Sequence, residues 1–118
     1  MVGSDSIHIG SMPHPRAYGC FPRFLGRLRR QFGILTLEQM IQRMTDNPAR
    51  RFGLKDRGRV QKGYFADITI FDADQIIDNA TYDDPKQFPT GIPFVLVNGQ
   101  VAVDHSRCTG VTAGQAIP

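Results

Sequence analysis

The apolar positions in the first half of the chain recur with helical spacing. From Phe21 they fall at offsets of 3, 4, 7 and 11, which places them on one face of a helix. Gly33 is a plausible end for that helix, since glycine readily takes the left-handed conformation found beyond a helix C-terminus. The pattern predicts an amphipathic helix that packs its aromatic residues into a core.

Two further helices are predicted downstream. Thr36 and Gln39 stand at the spacing of a capping box, in which each side chain binds the backbone of the other residue. A second apolar stripe follows over residues 37–44. Asn47-Pro48 predicts a short third helix, with Asn47 as its cap and proline in the first position.

After Gly58 the apolar period changes to two, which is typical of strands. Residues 66–71 predict one strand. A hairpin is predicted over 94–103, because Asn98-Gly99 suits the two positive-φ positions of a type I′ turn. Residues 72–93 are acidic and contain proline, so a long excursion with little regular structure is expected. About three strands are predicted, and a small sheet needs a partner layer, so this half is expected to belong to a sheet whose other strands lie elsewhere.

Composition narrows the class of protein. The 118 residues are 41% hydrophobic and 21% charged, which excludes collagen-like, coiled-coil and wholly disordered chains. No apolar run approaches the roughly 20 residues that span a bilayer, and the first residues lack the features of a signal peptide. A cytoplasmic protein with reduced Cys20 and Cys108 is therefore expected, with no membrane partner.

The charge is divided unevenly along the chain. Residues 1–62 carry 12 Lys and Arg against 4 Asp and Glu, whereas residues 63–118 carry 2 against 7. A basic half raises the alternative of a stand-alone module that binds nucleic acid or another polyanion. Its arginine stripe either follows phosphates or forms the solvated face of the first helix; its members are Arg23, Arg27, Arg29 and Arg30.

Two residues near the N-terminus have side chains suited to catalysis or binding. Asp5 lies among Gly and Ser residues, where a carboxylate acts as a base, binds metal, or simply forms a turn. Arg16 follows Pro15, whose fixed φ stiffens the chain. A guanidinium held in this way suits bidentate carboxylate binding, although a surface arginine is the simpler interpretation.

The other reactive side chains have simpler explanations. The spacing of His8 and His14 matches no trusted metal motif, so both are interpreted as loop histidines. His105 is expected to be exposed at the end of the last strand. Cys20 is interpreted as a small packed thiol, since no base is placed to activate it.

Read as a string, the chain resembles a known family. Residues 58–72 and 97–101 resemble segments that follow the barrel in metal-dependent amidohydrolases. An upstream block is similar to the N-acyl-D-amino-acid deacylases, or D-aminoacylases. The matching residues are Gly3-Ser4-Asp5-Ser6, His14 through Arg23, Leu35 through Glu38, Met44-Thr45, Pro48-Ala49 and Gly53 through Gly58.

The resemblance implies an α+β fragment from the C-terminal part of a (β/α)8-barrel amidohydrolase. Residues 1–57 would be a barrel remnant with the end of strand eight, the catalytic loop and closing helices. Residues 58–118 would be the C-terminal part of a small β-sandwich domain with antiparallel strands. A complete barrel needs about 250 residues, which this chain does not have.

The resemblance also assigns roles. The family hydrolyses the linear amide of N-acyl-D-amino acids with zinc. Asp5 would be the catalytic acid/base, which takes a proton from metal-bound water and passes it to the leaving amine, and Arg16 would bind the substrate α-carboxylate. The family's metal ligands all lie upstream of the matched segment. The chain alone is therefore expected to hold no zinc and to be inactive. It is expected to self-associate or to pair with a complementing N-terminal barrel chain. Nucleic acid is not expected as a partner.

Overall fold

A computed structural model describes residues 1–117, which form a helical layer followed by one antiparallel sheet. Helix α1, Arg16–Arg23, continues into a π-helical segment, Phe24–Gln31. Helices α2, Leu37–Met44, and α3, Asp46–Arg51, follow. The four-stranded sheet has the order β1-β2-β3-β4 and comprises β1, Ile68–Ile70; β2, Phe94–Val97; β3, Gln100–Asp104; and β4, Arg107–Cys108.

The first helix begins earlier than its apolar pattern predicts. It begins at Arg16, because Pro15 at the cap already has a helical φ of −52°. It ends as predicted, with Gly33 at a φ of +61° and its N–H donating to Arg29. The predicted burial of its aromatic face is only partly correct, since Phe21 is 41% exposed and Phe32 is 68% exposed.

The capping box before α2 is confirmed. The Gln39 N–H donates to Thr36 Oγ1 at 3.3 Å, and the Thr36 N–H donates to Gln39 Oε1 at 3.1 Å. The predicted cap of α3 is wrong, because that helix begins at Asp46 rather than after Asn47. Asn47 lies inside the helix, where its side-chain oxygen accepts from Arg50 at 3.1 Å.

The predicted hairpin is confirmed, with Asn98 and Gly99 at φ values of 51° and 80° between β2 and β3. The strand predicted over residues 66–71 is shorter, since only Ile68–Ile70 pair with β2. A fourth strand was not predicted. It follows a tight turn at His105-Ser106, where both residues have positive φ, and His105 is exposed as expected.

Residues 72–93 form a segment that contributes to the core although it has almost no regular structure. Ile76 is 1% exposed and clusters with Leu25 and Met40. Two glycines allow this close approach. A Cβ on Gly26 would overlap the backbone carbonyl of Ile76, and one on Gly19 would lie 2.9 Å from the Asp78 Cβ. The predicted excursion is therefore confirmed as irregular, apart from one bridge, but it is packed against the first helix.

A groove of about 760 Å³ separates the helices from the sheet. Its walls are mainly apolar and include Leu25, Ile41, Met44, Ile68 and Phe71. Within residues 1–117, β1 pairs only with β2 and β4 only with β3, so each outer strand presents a free edge. Over the same residues, no helix has the length and hydropathy needed to cross a membrane.

Candidate functional site

The N-terminal segment places Asp5 beside the start of α1. Residues 1–9 form no helix or strand. The Val2 N–H donates to the backbone oxygen of Arg43 at 3.2 Å, which ties this segment to helix α2. Asp5 adopts a φ of +50°, which is uncommon for a residue other than glycine, and its side chain is 86% exposed.

Asp5 and Arg16 are in contact. Asp5 Oδ2 lies 3.1 Å from Arg16 Nη2, and the arginine side chain is 40% exposed. Arg16 is the first residue of α1, and Ser6 Oγ donates to its backbone oxygen at 3.4 Å. The Arg16 Nε is buried and has no hydrogen-bond partner among residues 1–117. The side chains of Asp5 and Arg16 thus form one polar site at the N-terminus of the first helix.

His14 forms hydrogen bonds on both ring nitrogens, although its sequence position suggested only a loop histidine. The Arg16 N–H donates to its Nδ1 at 3.1 Å. Its Nε2 lies 3.0 Å from the Tyr82 hydroxyl, and the two rings meet edge to face with centroids 5.2 Å apart. His14 is therefore built into the site as a hydrogen-bonding bridge.

The segment 72–93 also reaches the other side of the site. Tyr18 packs edge to face between His8 and Phe88, at centroid distances of 5.8 and 6.0 Å. Tyr82 and Phe88 were missed by the sequence analysis. The only local signal is the presence of two aromatic residues in an otherwise acidic, proline-containing stretch.

The arginine stripe binds this segment, a role that neither sequence interpretation of the stripe included. Arg27 Nε lies 2.7 Å from Asp78 Oδ1, and Arg23 Nη1 lies 3.0 Å from Asp78 Oδ2. Asp78 is only 4% exposed. The remaining arginines donate to backbone oxygens: Arg29 to Ala73, and Arg30 to Ala73 and Ile76. The stripe fixes the segment that borders the site.

Cys20 lies one helical turn beyond Arg16. Its Sγ is 3.9 Å from the backbone oxygen of Gly3. Burial raises the pKa of the Cys20 thiol, and the nearby Arg16 charge offsets part of that rise. A raised pKa lowers the thiolate fraction, as expected for a packed thiol rather than a nucleophile.

Comparisons with known proteins give a consistent result. The amidohydrolase family model matches residues 1–103. N-acyl-D-glutamate deacylase from Alcaligenes xylosoxydans xylosoxydans is 52% identical over 99 residues, covering 84% of this chain and 20% of the relative. A crystal structure of D-aminoacylase, described as defining a novel subset of amidohydrolases, superimposes with a TM-score of 0.94 at 42% identity. That match covers 97% of this chain and 24% of the other.

A second solved structure is N-acyl-D-glutamate deacylase from Bordetella bronchiseptica, complexed with zinc and a phosphonate that mimics the tetrahedral intermediate. It is 48% identical, with a TM-score of 0.85, over 86% of this chain and 22% of that one.

The family model and the superposition together show that the chain belongs to the amidohydrolase family. It is an α+β fragment by comparison with these relatives, since it spans between a fifth and a quarter of their length.

The residues described here do not offer enough ligands for a zinc ion like the one in the Bordetella bronchiseptica structure. Residues 1–117 contain no group of three His, Cys, Asp or Glu side chains that could hold a metal ion. A catalytic zinc takes about three protein ligands. Asp5 is paired with Arg16, and His14 uses both ring nitrogens in other bonds.

Proposed function

We propose that this chain supplies the acid/base and carboxylate-binding residues of an amidohydrolase that hydrolyses N-acyl-D-amino acids. The observation that carries the proposal is the 3.1 Å contact between Asp5 and Arg16. These are the two residues to which the family resemblance assigns the chemistry, and they are 11 positions apart. The similarity to two N-acyl-D-glutamate deacylases and to a D-aminoacylase supports N-acyl-D-amino acids as the substrate class.

Each side chain has a distinct role in the proposed reaction. The guanidinium of Arg16 binds the substrate α-carboxylate, for which its planar fork of donors is suited. The Asp5 carboxylate accepts a proton as water adds to the amide carbonyl. It returns that proton to the nitrogen as the C–N bond breaks, which releases a carboxylate and a free D-amino acid.

We infer that residues 1–57 are a barrel remnant, that residues 58–118 belong to a β-sandwich domain, and that the chain is inactive alone. The partner would be the remaining part of an amidohydrolase, with self-association as the competing outcome. The apolar groove of about 760 Å³ and the free sheet edges support this inference, since such surfaces are normally covered. Cys20 and Cys108 are both free thiols, which supports a reducing, cytoplasmic location.

The internal bonds of the arginine stripe weigh against a polyanion-binding module. Arg23 and Arg27 are held by Asp78, and Arg29 and Arg30 by backbone oxygens. Phosphate binding would have to break these bonds. The salt dependence of binding to mixed-sequence DNA tests this alternative, and a steep slope would revive it.

The function is tested by complementation. The purified chain is incubated with zinc and N-acetyl-D-glutamate, alone and after co-expression with D-aminoacylase that lacks its matching quarter. We expect no turnover from the chain alone and measurable turnover from the pair. Asp5→Asn should abolish that turnover, whereas Asp83→Asn, an exposed acidic residue of segment 72–93, should leave it unchanged. Turnover that survives Asp5→Asn would refute the assigned role.

A further inference from the structure

His14 acts as the side-chain cap of the first turn of α1. The usual N-cap position is occupied by Pro15, which offers no side-chain hydrogen bond. His14 Nδ1 accepts from the Arg16 N–H two residues further on, and its backbone oxygen accepts from the Ala17 N–H at 2.9 Å. Asp, Asn or Ser side chains ordinarily make this type of bond at a helix start. The histidine thereby fixes the backbone from which the Arg16 side chain extends.

These contacts define the state of the imidazole. A backbone N–H can only donate, so Nδ1 must be the unprotonated nitrogen. The neutral ring then carries its hydrogen on Nε2 and donates it to the Tyr82 oxygen at 3.0 Å. A ring protonated on both nitrogens would lose the bond from Arg16. The geometry thus selects one tautomer with one donor and one acceptor in use.

Tyr82 connects this cap to a distant part of the chain. It lies 68 residues away, in the segment 72–93, and its ring packs edge to face on His14. The same segment is anchored to the first helix by Asp78, which binds Arg23 and Arg27. The imidazole of His14 therefore joins this segment to the backbone at the start of α1, beside the Tyr18–Phe88 ring contact.

We infer that His14 is a positioning residue for Arg16, with Tyr82 holding its ring in the required orientation. This inference rests on the proposed function, in which Arg16 binds the substrate α-carboxylate. His14 does not contact substrate in this role. It sets the helix start, and with it the direction of the guanidinium towards Asp5. The segment 72–93 thus takes part in the site through Tyr82.

The test is nuclear magnetic resonance on the ¹⁵N-labelled full chain, which needs no bound ligand. In the wild type, His14 should show an unprotonated Nδ1 and a hydrogen on Nε2. In His14→Ala, we expect the Arg16 amide to exchange with solvent about three- to tenfold faster, as follows from the loss of one hydrogen bond. Asn can bond to a backbone N–H two residues on, so His14→Asn should restore the slow exchange. The longer His14→Gln side chain should not.

Two further variants separate positioning from general stability. Tyr82→Phe keeps the aromatic ring and removes the hydroxyl, so it should shift the Nε2–H resonance while the melting temperature changes little. His8→Ala is the matched control, because His8 is also a loop histidine packed on an aromatic ring, and it should leave the Arg16 amide unchanged. Equal rescue by His14→Gln and His14→Asn, or a hydrogen on Nδ1, would overturn the inference.

Steady-state kinetics on the complemented pair separate the role of His14 from the proposed function. N-acetyl-D-glutamate is added to the complemented pair, and its KM is compared between the wild type and His14→Asn, His14→Gln and Arg16→Lys. Positioning predicts that KM rises in His14→Gln and much less in His14→Asn. Failure of the pair to turn over substrate would count against the proposed function alone, since the tautomer and exchange measurements decide the role of His14 independently.

Discussion

Arg27 Nε lies 2.7 Å from Oδ1 of Asp78, a residue 51 positions further along the chain. This ion pair joins the basic first half to the acidic second half, and Arg23 completes it from the preceding helical turn. Some of the opposite charges of the two halves therefore pair with each other inside the molecule. Asp78 is 4% exposed, and its charge is therefore tolerated only because both oxygens are bound by arginine.

Replacement of Asp78 should destabilise the fold. We expect Asp78→Ala to lower the free energy of unfolding by about 2–4 kcal/mol, because it removes two charged hydrogen bonds that hold segment 72–93 on the helix. Urea denaturation followed by circular dichroism measures the change. Asp83→Ala, an exposed acidic residue of the same segment, should stay within about 0.5 kcal/mol of the wild type. Equal stabilities for the two variants would contradict the role of Asp78.

The close approach at Gly26 predicts a second loss of stability. Alanine usually favours a helix over glycine by about 1 kcal/mol. At Gly26, however, the new Cβ would overlap the Ile76 carbonyl, which belongs to backbone that cannot move freely. We expect Gly26→Ala to destabilise by about 1–3 kcal/mol, as overpacking does. Gly3→Ala is the control, since a Cβ there meets nothing within 4 Å. A stabilised Gly26→Ala would show that the segment does not lie on the helix.

Local signals explain which parts of the fold were predictable. The Thr36 capping box and the Asn98-Gly99 turn depend on neighbouring residues, and both are present as predicted. Burial of Ile76 depends instead on contacts with residues about 36 to 51 positions away, which no short-range period reveals. The sequence did contain one sign of this packing in the first helix. Its glycines leave room for the backbone of segment 72–93, and its arginines donate hydrogen bonds to carbonyl oxygens of that segment.

The candidate site also contains residues that the sequence predicted and one whose role depends on a distant contact. Asp5 and Arg16 were selected by resemblance to a family, and the structure brings their side chains together. His14 was interpreted as a loop histidine, because its partner Tyr82 lies 68 residues away. A residue whose role depends on a distant, irregular segment carries no local pattern, so the sequence could not predict this bridge.

Asp46 predicts a specific loss of stability in acid. The hydrogen bonds from Arg59 hold the pKa of the Asp46 carboxyl below its ordinary value, with a further contribution from the Arg50 charge. A lowered pKa in the folded state stabilises the fold at any pH above the unfolded value of about 3.9. That contribution disappears as the pH falls through the lower, folded value.

Urea denaturation at pH 7 and pH 2.5 tests this. The stability advantage of the wild type over Asp46→Asn should shrink at the lower pH, since the wild-type carboxyl is then protonated. Asn47→Ala alters a non-titrating side chain of the same helix, so its effect should be the same at both pH values. An Asp46→Asn effect that is independent of pH would refute the assignment.

The two cysteines should differ in reactivity. Burial raises the pKa of the Cys20 thiol, whereas Cys108 is exposed on the edge strand β4. Because the thiolate is the reactive form, iodoacetamide at pH 8 should alkylate Cys108 about tenfold faster or more. Peptide mass spectrometry at timed intervals measures both rates in one sample. In Cys108→Ser only the slow reaction should remain, and in concentrated urea the rates at the two sites should converge. Faster alkylation of Cys20 in the folded chain would instead indicate an activated thiol beside Arg16.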